Sequence, residues 1–244
     1  MNYKAVLQYD GTRYRGWQTQ GNTDNTIQSK LETLLTKMAG EPVEVNGSGR
    51  TDAGVHAAGQ VISFRCKTKE SPEEICRYMN EYLPEDIAVL TVEEAAPRFH
   101  ARLNAVRKTY VYRIWNAPVR NVFRRRFTMW IQKPLDLDAM EQAATLLCGT
   151  HDYRAFCSQK KFKKSTVRTI EKIEIGKMGQ EIRISYTGDG FLYHMVRILT
   201  GTLVEVGLGL RKPEEMTEIL EGQDRTKAGR LMPPEGLTLE SVEY

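Results

Sequence analysis

No apolar stretch in the 244 residues approaches the roughly 18 that a membrane-crossing helix needs, and the opening MNYKAVLQYD lacks a signal peptide's basic, apolar and cleavage regions. The cytoplasm is therefore the expected compartment, with no membrane partner. The four cysteines, Cys66, Cys76, Cys148 and Cys157, form no CxxC pair, which favours reduced, structural thiols over disulfides or a zinc site. The four histidines, His56, His100, His151 and His194, are dispersed, with no HxxH, HxxxH or HExxH spacing, so no catalytic metal is expected. GSGRTDAG and GVHAAGQ fail as phosphate loops. Gly59 is followed by Gln60 and Val61 rather than Lys and Ser or Thr, and Asp52 stands where GxGxxG requires its third glycine. These absences disfavour NTPases and dehydrogenases. There is no GxSxG for a Ser-His-Asp hydrolase, no second conspicuous carboxylate for a glycosidase pair, no internal repeat and no Gly/Ser linker.

What is present is an ordinary globular composition, 41% hydrophobic and 27% charged, long enough to bury a substantial core. The net charge of +4 is modest, but its distribution is uneven. From Arg98 to Arg126 the chain carries Arg98, Arg102, Arg107, Lys108, Arg113, Arg120, Arg124, Arg125 and Arg126 with no acid between them. A second acid-free run holds Arg154, Lys160, Lys161, Lys163, Lys164 and Arg168. Phe99, Tyr110, Tyr112, Trp115, Phe123 and Phe127 interleave with the first run. Cations hold phosphates and rings stack on unpaired bases, so the mixture points to structured RNA with single-stranded parts. KKFKK, at Lys160 to Lys164, is the candidate for a loop that contacts phosphate.

Hydrophobic periodicity predicts a strand at Tyr3–Asp10, a helix over Ile27, Leu31, Leu34, Leu35 and Met38 with Asn25 as N-cap, strands near Val43–Asn46 and Gln60–Cys66, a helix at Ser71–Tyr82 and a strand at Ile87–Glu94. That β-α-β-β-α-β order is ferredoxin-like. The second half predicts strands at Thr109–Trp115, Phe127–Gln132, Thr166–Ile175, Gln180–Tyr186 and Leu237–Val242, with helices at Leu137–Leu147 and Phe191–Val206. The expected fold is α+β, with two ferredoxin-like halves, 1–100 and 101–244, sharing a continuous, mainly antiparallel sheet with helices on one side and a central RNA-binding cleft.

Within this frame Asn46–Ala57, NGSGRTDAGVHA, places Asp52 in a loop almost free of bulky side chains. Gly47, Gly49 and Gly54 permit positive φ and close approach of a partner, and Arg50 supplies a nearby cation. A glycine-rich hairpin whose Asp caps a turn has the same composition. A lone carboxylate serves as a nucleophile only if a fixed cation keeps it ionised where water is excluded. Arg197, on the apolar FLYHMVRILTG, is a candidate for that cation; a structural ion pair with another acid is the alternative. Tyr9 and Trp17 are expected to pack around the loop, and Phe156 and Cys157 to pack in the core.

YDGTRYRGWQTQ, GSGRTDAGVHAAGQV, FHARLNAVRKTYVYRI and FLYHMVRILTGTL, in this order and spanning the chain, resemble the signature segments of the tRNA pseudouridine synthase A family. The resemblance implies isomerisation of uridine to pseudouridine at positions 38, 39 and 40 of the tRNA anticodon stem-loop, by a homodimer that needs neither metal nor small-molecule cofactor. It makes Asp52 the catalytic aspartate, Tyr110 the tyrosine stacked on the uracil, Arg197 the arginine paired with the aspartate, and Arg50 the arginine that holds the target nucleotide open. The basic residues expected at the RNA are Arg98, Arg102, Arg107, Lys108, Arg124, Arg125, Lys160, Lys161, Lys163 and Lys164. A non-catalytic tRNA-binding or folding protein on the same scaffold is the alternative reading, and a nucleoside hydrolase using Asp52 is a third.

Overall fold

A computed structural model describes residues 1–159, 161–162 and 164–244. In chain order the regular elements are β1 (Asn2–Tyr9), α1 (Ile27–Ala39), β2 (Val45–Gly47), β3 (His56–Arg65), α2 (Pro72–Tyr82), β4 (Ile87–Glu94), β5 (Arg107–Asn116) and β6 (Met129–Ile131). There follow α3 (Leu137–Leu146), β7 (Gly149–Asp152), β8 (Val167–Met178), β9 (Glu181–Gly188), α4 (Met195–Gly207), α5 (Glu215–Gly222) and β10 (Leu237–Glu243). The chain forms two compact units, Met1–Val106 with Thr238–Tyr244, and Arg107–Leu237. The division falls at 106/107 rather than at residue 100, and the last strand belongs with the first unit rather than the second. Thr238 and Leu239 of that strand lie parallel to His56 and Ala57 of β3.

In the first unit β1 runs antiparallel to both β3 and β4, and β2 pairs with the far part of β3. Tyr3, Ala5, Leu7 and Tyr9 are buried, the period-two pattern of a strand with one face in the core. At 13 residues α1 is too short to persist alone. Burial of Ile27, Leu31, Leu34 and Leu35 at ~1.5–3 kcal/mol each stabilises it. Thr26, not Asn25, is its N-cap, accepting from Ser29 N–H, and Gly40 closes it at φ 70°. Asn25 is used elsewhere, its Nδ2 donating to the Arg13 carbonyl at 2.7 Å. α2 starts from a capping box in which Ser71 and Glu74 satisfy each other's backbone N–H groups.

In the second unit β5, β9, β8 and β7 form an antiparallel series, with β6 added parallel to β5. The α3 helix lies against α4 and β8. The α4 helix begins at Met195, four residues later than its apolar run predicts, because His194 adopts φ 66° and interrupts helical geometry. Its sides are buried almost throughout. Residues 228–232 cross it at backbone distance: a Cβ on Gly201 would sit 1.9 Å from the Arg230 carbonyl oxygen, and one on Gly229 2.5 Å from the Thr202 nitrogen.

Candidate active site

The loop between β2 and β3 is held from several directions. Ser48 N–H donates to the Val61 carbonyl at 2.8 Å, the Ser48 hydroxyl donates to Gln60 Oε1 at 2.6 Å, and Gln60 Nε2 donates to the Gly49 carbonyl at 3.0 Å. Ser48 and Gln60 are fully buried. Burial makes each of these bonds costly to break, because an orphaned polar group would forfeit about 1–3 kcal/mol. Two residues on, Thr51 accepts the Trp17 N–H at its carbonyl at 3.0 Å, and its hydroxyl shares a 2.8 Å bond with the Tyr9 hydroxyl. Burial pushes the Tyr9 phenol up to about 12, so it stays protonated. The Asp52 carbonyl then accepts Val55 N–H at 3.1 Å, closing a turn through Gly54 at φ 79°.

Of the three loop glycines only Gly54 has positive φ. Gly47 is needed for proximity instead: a Cβ there would lie 2.5 Å from Trp17 Cζ2 and 2.6 Å from Cε2. Gly16, at φ 98°, brings its own backbone against Thr51, and a Cβ on Gly11 would sit 2.0 Å from the Val55 carbonyl oxygen. Tyr9 and Trp17 are both buried, as expected of packing residues. Below the turn, buried His56 accepts Gly11 N–H at Nδ1 at 3.1 Å, and Asp10 Oδ1 lies 3.2 Å from the same nitrogen. Asp52 itself is half-buried and Arg50 is exposed, both on a loop whose backbone is fixed by the two turns of chain around it.

Tyr110 lies near the middle of β5, opposite Tyr186 of β9. It is buried, and its ring stands edge-on to Phe191, centroids 5.3 Å apart. Arg197 is the third residue of α4 and is also buried. Its Nε donates to the Met232 carbonyl at 2.7 Å, while its own carbonyl accepts Met232 N–H at 3.3 Å. A guanidinium on an otherwise apolar helix is thus oriented by the strap that crosses it. Asp52 and Arg50 belong to the first unit, Tyr110 and Arg197 to the second. Phe156 and Cys157 are core residues, as expected.

The basic residues divide by their surroundings. Arg98, Arg102, Arg125, Lys161 and Lys164 are exposed, and Lys108 is half-buried on β5. Arg107 is tied to Glu171 at 2.7 Å and Arg124 to Glu181 at 2.5 Å, so the acid-free run in sequence acquires acids from β8 and β9 in space. Lys160 and Lys163 lie outside the described residues. The interleaved rings also separate: Tyr112 is core, donating to the Pro233 carbonyl at 2.7 Å, and Phe99 packs on Tyr244 with centroids 5.1 Å apart. Phe123 is 91% exposed. Among the described residues no three His, Cys, Asp or Glu side chains gather where they could hold a metal ion, and no helix is long and apolar enough to cross a membrane.

The sequence model of the family described as tRNA pseudouridine synthase matches residues 5–104 and 143–244. A tRNA pseudouridine synthase A of Bacillus sp. (strain KSM-64) is 48% identical over 243 residues, covering 100% of this chain and 99% of that one. The protein of the same name from Brevibacillus brevis (strain 47 / JCM 6285 / NBRC 100599) is 46% identical over 241 residues, covering 99% and 98%. A tRNA pseudouridine synthase A 2 of Clostridium tetani (strain Massachusetts / E88) is 43% identical over 244 residues, covering 100% and 98%. Among solved structures, a chain of "Crystal Structure of a Cbf5-Nop10-Gar1 Complex" is similar at TM-score 0.39 and 12% identity, over 83% of this chain and 45% of that one. Likeness of this extent along whole sequences defines the class, an isomerase that modifies RNA. The chain belongs to the tRNA pseudouridine synthase family. Its reaction is the conversion of uridine in tRNA to pseudouridine. Asp52, Arg50 and Arg197 fall within the matched residues, and Tyr110 lies between the two matched spans.

Proposed function

We propose that this enzyme modifies uridines 38, 39 and 40 of the tRNA anticodon stem-loop, with Asp52 as its nucleophile, and that it works in the cytoplasm as a homodimer. The observation that carries the reading is the Asp52 loop, a single carboxylate on a backbone held by Tyr9, Trp17, Ser48 and Gln60. Such a support fixes a reacting group in advance of the substrate. The reaction breaks the N1–C1′ bond, turns the uracil and joins C5 to C1′; C5 loses a proton and N1 gains one. Atoms balance within the substrate, so no oxidant or energy source enters. A carboxylate serves by attack at C1′, by attack at C6, or by assisting proton loss at C2′.

In this reading Arg197 is the counter-ion of Asp52. Tyr110 stacks on the uracil, and Arg50 holds the target nucleotide out of its stack. Extrusion of a stem-loop uridine costs a few kcal/mol, offset by phosphate contacts from the exposed basic residues and by ring stacking. The test is tritium release from tRNA labelled at uridine C5, with the modified position mapped. Asp52→Asn should abolish release while tRNA binding persists; a residual rate near wild type would refute the nucleophile. Release mapped outside the anticodon arm would overturn the positions, and a monomer in light scattering would overturn the dimer.

A further inference from the structure

The segment Ala117–Phe127, APVRNVFRRRF, is organised more tightly than a surface loop requires. Two indoles anchor its first half: Trp130 Nε1 donates to the Ala117 carbonyl at 2.9 Å, and Trp115 Nε1 donates to the Val119 carbonyl at 3.0 Å. Arg120 lies over the Trp130 ring, 4.5 Å from its centroid. Asn121 Oδ1 then accepts the N–H groups of Phe123 and Arg124 at 3.1 and 3.2 Å, which shapes the tip. The second half is anchored too. Arg124 pairs with Glu181, a buried carboxylate that also takes Arg183 Nε at 2.7 Å. Thr128 donates to the Arg124 carbonyl at 3.0 Å, and Arg125 donates to that of Val122 at 2.7 Å.

What this framework displays is apolar. Phe123 at the tip is 91% exposed, Val119 75% and Val122 58%. An exposed Phe held on a fixed backbone loses apolar stabilisation that burial in a core would give it. The flanking groups are the cations Arg120, Arg124, Arg125 and Arg126, with no acid in the segment. A second copy of this chain meeting it through the same segment would set like charge against like charge. RNA meets both features at once, because an unpaired base offers a π face to the ring and its phosphates meet the guanidinium groups.

We propose that Phe123 is a tRNA-contacting residue that stacks on an unpaired base, presented by the Ala117–Phe127 loop and flanked by arginine contacts to phosphate. This rests on the reading above only in taking tRNA as the ligand. Direct binding of unmodified tRNA is blind to which uridine reacts and to the role of Asp52, so the two readings fail separately.

The experiment compares wild type, Phe123→Ala, Phe123→Trp and Arg125→Gln by filter binding of tRNA transcript at several salt concentrations, with thermal melting and sedimentation alongside. Phe123→Ala should raise Kd about tenfold, within the span expected for one base stacked on a ring, and Phe123→Trp should restore it. The salt slope should be unchanged in Phe123→Ala and smaller by about 0.7–0.9 in Arg125→Gln, the contribution of one phosphate contact. Melting should match wild type, since the ring touches little of the folded protein. A Phe123→Ala protein that binds tRNA with wild-type Kd overturns the proposal, and a change in oligomeric state with that Kd would assign the loop to self-association. A Kd that rises without rescue by Trp also overturns it.

Discussion

Gly47→Ala isolates the support beneath the Asp52 loop in a single methyl group. Gly47 is not in the left-handed region, so no backbone strain attends the change. The new Cβ would lie 2.5 and 2.6 Å from two atoms of the Trp17 indole. The strand cannot retreat easily, because Gly47 is in register with Ile62 of β3. The indole must move, and it is itself buried beside Tyr9, ring centroids 6.3 Å apart. Overpacking of this kind costs about 1–3 kcal/mol, reduced by roughly 0.4–1 kcal/mol because alanine restricts the unfolded chain. A net loss of about 1–2 kcal/mol lowers Tm by roughly 2–8 °C in a protein of this size. Movement of Trp17 also pulls on the 3.0 Å bond from its backbone N–H to the Thr51 carbonyl, next to Asp52. Displacement by about 1 Å is enough to cost up to roughly a hundredfold in rate, so kcat should fall while Kd for tRNA changes little. Thermal melts and single-turnover pseudouridine formation measure the two effects. A smaller ring should restore both: Gly47→Ala in a Trp17→Phe background should show a favourable coupling of roughly 0.5–3 kcal/mol. Wild-type Tm and rate in Gly47→Ala, or strict additivity with Trp17→Phe, would refute the reasoning.

Tyr9 is raised by burial to about 12 from the usual value near 10. Above pH 10 the unfolded chain loses this proton first, so the contribution is present below pH 10 and is lost as pH rises toward 12. Tyr186 and Tyr153 are raised for the same reason and add to the slope. Denaturant midpoints should therefore drop between pH 10 and 12, less steeply in Tyr9→Phe; a midpoint flat across that window would contradict the burial argument. The exposed Arg98, Arg102, Arg125, Lys161 and Lys164 should make tRNA affinity fall with salt, log K declining by about 0.7–0.9 per log unit of salt for each phosphate contacted. A slope near zero would remove the phosphate-binding role from these residues.

Much of the architecture was legible where burial imposes periodicity. The β1 alternation, the apolar face of α1, the Ser71 capping box and the β4 run all appear close to their predicted places. Departures have local causes. The apolar run that begins at Phe191 predicts the start of α4 there, but a left-handed His194, whose Nδ1 is 2.9 Å from the Ser158 hydroxyl, delays the helix. The α5 helix is absent from the predicted elements, although Met216, Ile219 and Leu220 mark a buried face at helical spacing. The β7 strand, GTHD, has no apolar alternation; its pairing with β8 defines it, and pairing partners are invisible in one sequence.

The candidate site shows the same boundary between local and non-local information. Asp52 stands out in sequence because glycines and small residues surround it over a dozen positions. The groups that hold its loop come from three separate segments: Tyr9 at the end of β1, Trp17 before α1, and Gln60 within β3. Each has an ordinary reading in its own neighbourhood, and Gln60 on a strand with buried Val61 and Ile62 looks like a polar interruption. It is the opposite: its amide uses both ends, accepting from Ser48 and donating to Gly49, which is why it is buried without an orphaned atom. Glu181 repeats the pattern in the second unit, a buried acid at the start of β9 whose two arginine partners lie at positions 124 and 183. A buried polar residue in an apolar strand is therefore the signal that sequence reading could have used. Its position marks where a distant loop must be tied down, even before the partner is known.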